Sequence, residues 1–250
     1  MYESAFVPAF FAQWAPLLCR AAGIEPGRTV LDVACGTGIA ARTAADLAGA
    51  GRVVGLDLNE AMLAVARRVR PDIEWRQGSA EALPFADRSF DAVLCQMALM
   101  FFRDRGAALA EMARVVGPGG TVAIAVPGRL DHQAAFAPFI DVAARHAGPE
   151  AMSLLGTYFA CGDLDELTVL VASAGLEVTS TRAHLGTYRA PSVDIFVTTE
   201  VESTPLVERI SADVYARIRG EAHDLLRPFV GAGGAVEAPF ESNIVAARRR

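Results

Sequence analysis

The chain has 250 residues, enough to bury a full hydrophobic core, and its 52% apolar residues are typical of a globular protein. Its 29 acidic and 23 basic residues give a net charge of −6, which disfavours a nucleic-acid partner. The apolar runs are shorter than the ~20 residues of a membrane span and the acidic N-terminus is a poor secretory signal, so we expect a cytoplasmic protein with no membrane partner.

The first 25 residues are expected to form an N-terminal cap helix with an aromatic stripe. The stripe consists of Phe6, Phe10, Phe11, Trp14, Leu17 and Leu18. Ordinary packing of the helix on a sheet explains such a stripe. A helix that covers a ligand, with Trp14 or Phe10 facing the substrate, is the alternative interpretation.

Short β-branched runs then alternate with helical patterns, which predicts a parallel sheet covered by helices on both faces. Strands are expected at about 28–33, 52–57, 72–76, 89–96 and 120–126, and helices at about 38–48, 59–70 and 104–116. Because crossovers between parallel strands are right-handed, the fold class is a doubly wound α/β sheet. Its ligand is expected at the carboxyl ends of the strands.

The pattern changes after residue 127 and becomes mainly helical. The expected elements are a helix over 131–146 kinked or split by Pro138, a short helix over 152–159, a helix over 163–174, a strand over 176–189, a helical stretch over 192–228 and a strand over 242–247. Gly175 is expected to end the helix at 174. Arg248–Arg250, the only basic run, is expected to be a solvated tail.

Two acidic residues mark the ends of the first two predicted strands. Asp32 precedes a turn that contains Gly36 and Gly38, which let a ligand approach the backbone and the helix N-terminus. Asp57 follows the second strand, where an acid suits two ribose hydroxyls. Two acids with no basic residue in the turn predict a ligand with a ribose and a positive charge but no pyrophosphate. S-adenosylmethionine is such a ligand.

Five motifs between residues 28 and 126 carry a family resemblance. They are VLDVACGTG at 30–38, GLD at 55–57, GSAEALPF at 78–85, SFDAV at 89–93 and GPGG at 117–120. In this order and at these spacings the chain resembles the class I S-adenosylmethionine-dependent methyltransferases. It most closely resembles the small-molecule branch that includes the ubiquinone/menaquinone C-methyltransferases.

The resemblance implies one methyltransferase domain over 1–250 with a Rossmann-like, mostly parallel seven-stranded sheet. The cofactor-binding core is expected at 28–126. The last two strands, expected at about 176–187 and 240–248, would form an antiparallel hairpin. Helical insertions at 130–175 and 190–238 are expected to act as a lid that builds the substrate pocket.

The resemblance also implies how the cofactor S-adenosyl-L-methionine is bound. The implied cofactor-binding residues are Asp32, Ala34, Gly36, Gly38, Asp57, Leu58, Met62, Ser79, Ala80 and Gln96. The turn would hold the methionine end, with Asp32 favouring its ammonium group, and Asp57 would accept from both ribose hydroxyls. Ser79 stands where the family usually has Asp, so its hydrogen bond to the adenine amine would be weaker by ~1 kcal/mol.

The methyl acceptor is expected to be a small, hydrophobic or aromatic molecule, methylated on oxygen, nitrogen or carbon. An acceptor that must lose a proton needs a base, and His132, just after the fifth strand, is the first candidate, with Tyr158 second. The histidines and the four widely spaced cysteines lack metal-ligand spacing, so no metal is expected and the cysteines are expected to be buried thiols. The oligomeric state is open, and a homodimer formed through the helical insertions is one option.

Two other functions stay open. Gly36, Gly38 and Asp57 also fit the fingerprint of an NAD(P)-dependent Rossmann oxidoreductase. Asp32 argues against that function, because a carboxylate beside a pyrophosphate is electrostatically unfavourable in a partly buried site. A non-catalytic cofactor-binding protein is the other alternative, since methyl transfer requires no particular catalytic residue.

Overall fold

The computed structural model describes Glu3 and residues 7–249. Phe6 of the aromatic stripe and Arg250 of the basic tail lie outside the described residues. The chain divides into two compact units. The first comprises the described residues of Met1–Val126, Asp163–His184 and Asn243–Arg250, and the second comprises Pro127–Gly162 and Leu185–Ser242.

In the part of the chain that the structure describes, seven strands form one sheet in the order β3-β2-β1-β4-β5-β7-β6. Their bounds are β1 Val30–Val33, β2 Val53–Asp57, β3 Glu74–Gln77, β4 Phe90–Gln96, β5 Val116–Pro127, β6 Leu176–Ala190 and β7 Val236–Arg249. The first five strands pair in parallel, and β7 runs antiparallel to its neighbours. The predicted Rossmann-like, mostly parallel α/β fold with an antiparallel last strand is therefore confirmed.

Ten α-helices accompany the sheet within the described residues. Their bounds are α1 Val7–Ala9, α2 Ala15–Ala21, α3 Ile39–Ala48, α4 Glu60–Val69, α5 Arg105–Val115, α6 Phe136–Ala147, α7 Pro149–Gly156, α8 Leu164–Ser173, α9 Val193–Glu202 and α10 Ala212–Leu225. Short 3₁₀ turns lie at Phe11–Gln13, Leu99–Phe101, Leu130–His132, Thr157–Phe159, Pro205–Arg209 and Arg227–Phe229.

Capping residues explain where several helices begin and end. The Asn59 side chain accepts from the amide of Ala61 and starts α4, and Asp163 caps the first turn of α8. Gly175, with φ +81°, follows α8 in the left-handed conformation that glycine tolerates. These signals are local, so the sequence predicted the helices between strands and α8 well.

The register of the central strands aligns the acidic strand ends. Asp32 of β1 lies opposite Gly55 of β2 and Leu94 of β4. All four residues of β1 are buried, as expected for a central parallel strand covered on both faces. The carboxyl ends of β1, β2 and β4 therefore meet at one edge of the sheet.

Three expectations about element limits were wrong. Pro138 does not split a helix at its own position, because it is the third residue of α6, where a missing backbone N–H removes no helical hydrogen bond. The fifth strand begins at Val116 and not at about 120, and the GPGG segment forms a bulge within it, since Phe90 pairs with Val116 while Ala92 pairs with Thr121. The last strand begins at Val236, six residues before the start expected from the residue pattern and about four before the start that the resemblance implies.

Candidate active site

Non-glycine residues in a left-handed conformation follow two of the central strands. Ala34 follows β1 with φ +55°, and Met97 follows β4 with φ +53°. Backbone hydrogen bonds hold both turns: Cys35 N donates to Leu56 O at 3.0 Å, and Met97 N donates to Ala125 O at 2.7 Å. Such conformations are strained for residues with a Cβ and are enriched at functional sites.

The two glycines of the turn after β1 have different surroundings. Gly36 has φ +56°, and Gly38 has φ +88° and stands at the N-cap of α3. A Cβ at Gly38 would lie 2.2 Å from the ring of Trp75, and one at Gly55 would lie 2.3 Å from the same ring. The lack of a side chain at Gly38 thus makes room for the indole that packs against the turn.

Asp32 is a buried carboxylate at the end of β1. It is 1% exposed, and its Oδ2 accepts from the amide of Ala41 in the first turn of α3 at 2.8 Å. Burial raises the pKa of Asp32 to about 7, the hydrogen bond from Ala41 opposes this rise, and the charge of Asp57 adds to it. Asp32 therefore changes its charge near neutral pH.

Asp57 connects two turns at the end of β2. Its Oδ2 accepts from the amide of Gly36 at 2.7 Å, and its Oδ1 accepts from the amide of Asn59 at 2.8 Å. A carboxylate has about four acceptor sites, so each oxygen can still accept one hydrogen bond from a ligand. Asp57 thus both braces the glycine turn and offers acceptors.

Two cavities of about 400 Å³ each lie at this edge of the first unit. They share the lining residues Ala34, Asp57, Phe101 and Phe102. We call the cavity that includes Asp32 and Gln96 the turn cavity. We call the cavity that includes Leu58 and Ser79 the base cavity, where base stands for a nucleobase. Of the predicted cofactor-binding residues, the turn cavity is lined by Asp32, Ala34, Gly36, Asp57, Met62 and Gln96, and the base cavity by Ala34, Asp57, Leu58, Ser79 and Ala80. Gly38 lines neither.

Two buried polar atoms of the turn cavity have no hydrogen-bond partner among the described residues. They are Oγ1 of Thr37 and Oε1 of Gln96. The other end of the Gln96 amide donates from Nε2 to the carbonyl of Phe11 at 3.1 Å. Because an unsatisfied buried polar atom is unfavourable, both atoms are suited to hydrogen-bond a ligand in the turn cavity.

The prediction missed several lining residues. These are Phe11, Thr37, Met97, Phe101, Phe102 and Arg103. Met97 directly follows the fourth strand, so its position at the carboxyl edge was a usable signal. Phe101 is 61% exposed and Leu58 is 71% exposed. The base cavity is therefore lined by large apolar residues that are accessible to solvent.

The N-terminal stripe contributes residues to the core and one residue to the turn cavity. Phe10 and Trp14 are buried core residues whose rings meet edge to face at 6.1 Å. Phe11, which is partly buried, is the aromatic residue of the stripe that lines the turn cavity. The alternative in which Trp14 or Phe10 faces a substrate is therefore wrong for the turn cavity.

The two candidate bases belong to the second unit. His132 is half exposed, and its Nδ1 lies 2.9 Å from Oε1 of Glu241. Tyr158 is partly buried and packs edge to face on Phe159 with ring centres 5.6 Å apart. Neither residue lines the two cavities of the first unit, and their catalytic role stays a prediction.

The second unit has an aromatic core of its own. It contains Phe136, Phe139, Phe159, Tyr188, Phe196 and Phe240. The hydroxyl of Tyr188 donates to Oε1 of Glu200 at 3.1 Å. Burial raises the pKa of Glu200 to about 7, while this hydrogen bond lowers it.

The described residues offer no group of His, Cys, Asp and Glu side chains that could hold a metal ion. All four cysteines are buried thiols, as predicted. Burial raises the pKa of Cys35 well above its ordinary value, so the thiol that lines the turn cavity is protonated at neutral pH. No helix within residues 7–249 has the length and hydropathy of a membrane span.

Comparison with known proteins gives a family match within the segment 28–126 that carries the sequence motifs. A family model described as Methyltransferase domain matches residues 31–124. A demethylmenaquinone methyltransferase of Renibacterium salmoninarum is 49% identical over 113 residues, which cover 45% of this chain and 47% of that protein. A demethylmenaquinone methyltransferase of Tropheryma whipplei is 32% identical over 184 residues, which cover 68% of this chain and 74% of that protein.

The fold has solved counterparts. A candidate methyltransferase of Bacillus halodurans superposes with a TM-score of 0.65 at 21% identity, covering 94% of this chain and 98% of that one. At this identity the likeness shows the fold alone. The chain spans about half the length, or less, of the first curated relatives that it matches.

Proposed function

Because the chain belongs to the class I S-adenosylmethionine-dependent methyltransferase family, we propose that it transfers the methyl group of S-adenosylmethionine to a small hydrophobic molecule. The observation that carries the proposal is the lining of the turn cavity. It contains the carboxylates of Asp32 and Asp57 and no basic residue. Such a lining suits a cationic ligand and opposes a pyrophosphate.

The residues present fit this cofactor. The sulfonium and ammonium groups would meet the two carboxylates of the turn cavity, with Asp32 nearest the ammonium. The unpartnered oxygens of Thr37 and Gln96 would hydrogen-bond the amino-acid end. Asp57 retains acceptor capacity for the ribose hydroxyls.

The base cavity would hold the adenine. Leu58 on one side, with Met62 of the neighbouring turn cavity, offers apolar surface to the flat faces of the base. Ser79 and Ala80 would face its edge. The Ser79 hydroxyl already accepts from the amide of Glu81 at 3.2 Å, which fixes the loop in place.

When bound, S-adenosylmethionine supplies an electrophilic methyl group. The protein's part is to hold and orient the reactants and to exclude water, and alignment alone can contribute about 7–11 kcal/mol. Asp32 would be held ionised by a neighbouring cation, because an opposite charge lowers a carboxyl pKa. The hydrogen bond that Nε2 of Gln96 donates to the carbonyl of Phe11 holds the N-terminal segment at the turn cavity, which Phe11 lines.

We propose that the acceptor is a quinone-type or other hydrophobic ring compound, since the relatives are named demethylmenaquinone methyltransferases. An acceptor that loses a proton would need a base. His132 is the first candidate, because Glu241, at 2.9 Å from its Nδ1, would orient the ring. Tyr158 is the second candidate.

Calorimetric titration with S-adenosylmethionine tests the proposed binding. Asp57→Asn should weaken binding at least ~10-fold, since two hydrogen bonds to a charged acceptor are lost. The control is Glu60→Gln, which removes an exposed acid of α4 that lines neither cavity and should leave the affinity unchanged.

The same titration separates the alternatives. Saturable binding of NADH but not of S-adenosylmethionine would overturn the proposal in favour of an oxidoreductase. Binding without transfer of a labelled methyl group to any of a panel of quinols, phenols and amines would favour a non-catalytic cofactor-binding protein. Selective methylation of small polar amines would contradict the hydrophobic acceptor.

A further inference from the structure

Met97 keeps a backbone conformation that a glycine would adopt with less strain. Its φ of +53° lies in the left-handed region, which is unfavourable for a residue with a Cβ. The strand β4 has just ended at Gln96, and the short hydrogen bond from Met97 N to Ala125 O holds the turn in this conformation. A strained residue at a cavity is a reason to look for a function of its side chain.

Met97 is a lining residue of the turn cavity. The residue is 4% exposed and lines that cavity together with Asp32, Ala34 and Gln96, but it does not line the base cavity. If the base cavity holds adenine, as in the proposed function, the sulfonium and its alkyl group are at the Met97 end. A thioether side chain is long and polarizable, so it fills irregular space closely.

We propose that Met97 is a specificity-determining residue that limits the size of the alkyl group on the sulfonium of the donor. This inference rests on the proposed function, because it requires a sulfonium in the turn cavity. Close packing of Met97 would accept a methyl group and reject an ethyl group. A single methylene in a fitted apolar pocket is worth roughly 10-fold to 200-fold in discrimination.

Met100 provides a matched control in the same loop. It is 3% exposed, so its side chain is as buried as that of Met97. It lies in the turn Leu99–Phe101 and lines neither cavity. Truncation of either methionine removes the same atoms from a buried residue, but only Met97 lines the turn cavity.

The experiment is calorimetric titration of the full chain with S-adenosylmethionine, its S-ethyl homologue and S-adenosylhomocysteine, which lacks the transferable alkyl group. The wild-type protein should prefer the methyl over the ethyl donor by at least ~10-fold. Met97→Ala should reduce this preference to about 3-fold or less, since the space next to the sulfonium grows. Met100→Ala should keep the wild-type preference, with a similar fall in unfolding temperature.

A bulkier side chain provides the opposite test and does not depend on Met97→Ala being folded. Met97→Phe should weaken S-adenosylmethionine relative to S-adenosylhomocysteine by at least ~10-fold. The inference would be overturned if Met97→Ala kept the wild-type ratio of affinities for the methyl and ethyl donors and Met97→Phe kept the wild-type ratio for S-adenosylmethionine and S-adenosylhomocysteine. If only one variant folds, its ratio decides. If the wild-type protein binds none of the three compounds, the proposed function itself is overturned.

Discussion

Asp32 and its buried surroundings make the stability of the protein sensitive to pH. In the folded protein its pKa is raised from 3.8 to about 7, so the folded state binds the proton more tightly than the unfolded state. The stability that protonation provides is complete below about pH 4 and is lost as the pH rises through 7. The fall can reach about 1.4 kcal/mol per pH unit in this window.

We therefore predict that Asp32→Asn flattens the pH dependence of unfolding. Urea titrations at pH 5 and pH 7.5 should give a lower free energy of unfolding at pH 7.5 for the wild-type protein, and a smaller difference for the variant. Glu200, whose pKa is also raised to about 7, should leave a remaining slope in the same direction. An unchanged slope in Asp32→Asn would show that Asp32 is not the titrating group.

Trp75 is the residue that requires glycine at two positions. Its indole occupies the space of a side chain at both Gly38 and Gly55, and its Nε1 donates to the carbonyl of Arg70 at 2.9 Å. The ring is thereby fixed behind the turn that forms the candidate site. The sequence indicated that the glycines allow a ligand to approach. It did not show that Gly38 packs against Trp75, because that residue lies 37 positions further along the chain.

We predict that Gly55→Ala destabilises the protein by about 1–3 kcal/mol, because its Cβ would overlap the Trp75 ring. The control is Gly220→Ala in α10, where a Cβ meets open space and helix propensity should stabilise the protein by about 0.5–1 kcal/mol. Thermal unfolding of both variants gives the comparison. Equal stability of the two variants would contradict the overlap.

At the scale of elements, the C-terminal end of α5 is held by the last described residue. The Arg249 guanidinium donates through Nη1 to the carbonyls of Ala113 at 2.8 Å, Arg114 at 2.6 Å and Val116 at 2.9 Å. These carbonyls include groups that a helix end leaves without partners, and a cation there also suits the helix dipole. The expectation that the arginine run is a solvated tail is wrong for Arg249.

We predict that Arg249→Ala lowers the free energy of unfolding by about 1–3 kcal/mol, because partly buried carbonyls lose a charged donor. Arg248→Ala is the control, since the exposed side chain of Arg248 should contribute less than about 0.5 kcal/mol. Urea unfolding of the two variants at pH 7 measures the difference. Equal loss in both variants would mean that the charge, and not these contacts, stabilises the protein.

The prediction of strands and helices from the sequence was correct where a local signal was present. The strands β1, β2 and β4 are short, mainly apolar runs, and Asn59 and Asp163 mark helix starts by side-chain capping. The start of β7 was missed because pairing with neighbouring strands, and not a local pattern, extends it back to Val236. Pairing partners distant in sequence leave no signal in a single sequence.

At the scale of the whole molecule, the first predicted insertion crosses a unit boundary. Residues 130–162 of that insertion lie in the second unit, whereas α8 lies in the first, where it contacts α5. The apolar face of α8, with Leu167 and Val171 buried, predicted a packed helix but not the element on which it packs. The role of the segments 130–175 and 190–238 as a lid stays a prediction.

The composition of the second unit is explained by its own core. Phe136, Phe139, Phe196 and Phe240 are at most 2% exposed and pack on one another. Residues that fill a core do not report on a ligand, so the apolar residues of this core give no evidence about the methyl acceptor.

The position of Trp75 also has a practical consequence. The chain contains two tryptophans, and Trp75 touches the back of the turn whose front lines the turn cavity. A compound that presses on this turn changes the surroundings of the indole. In a Trp14→Phe background, the emission spectrum of the remaining indole is therefore a built-in optical reporter of what enters the cavity, and no dye or label has to be attached.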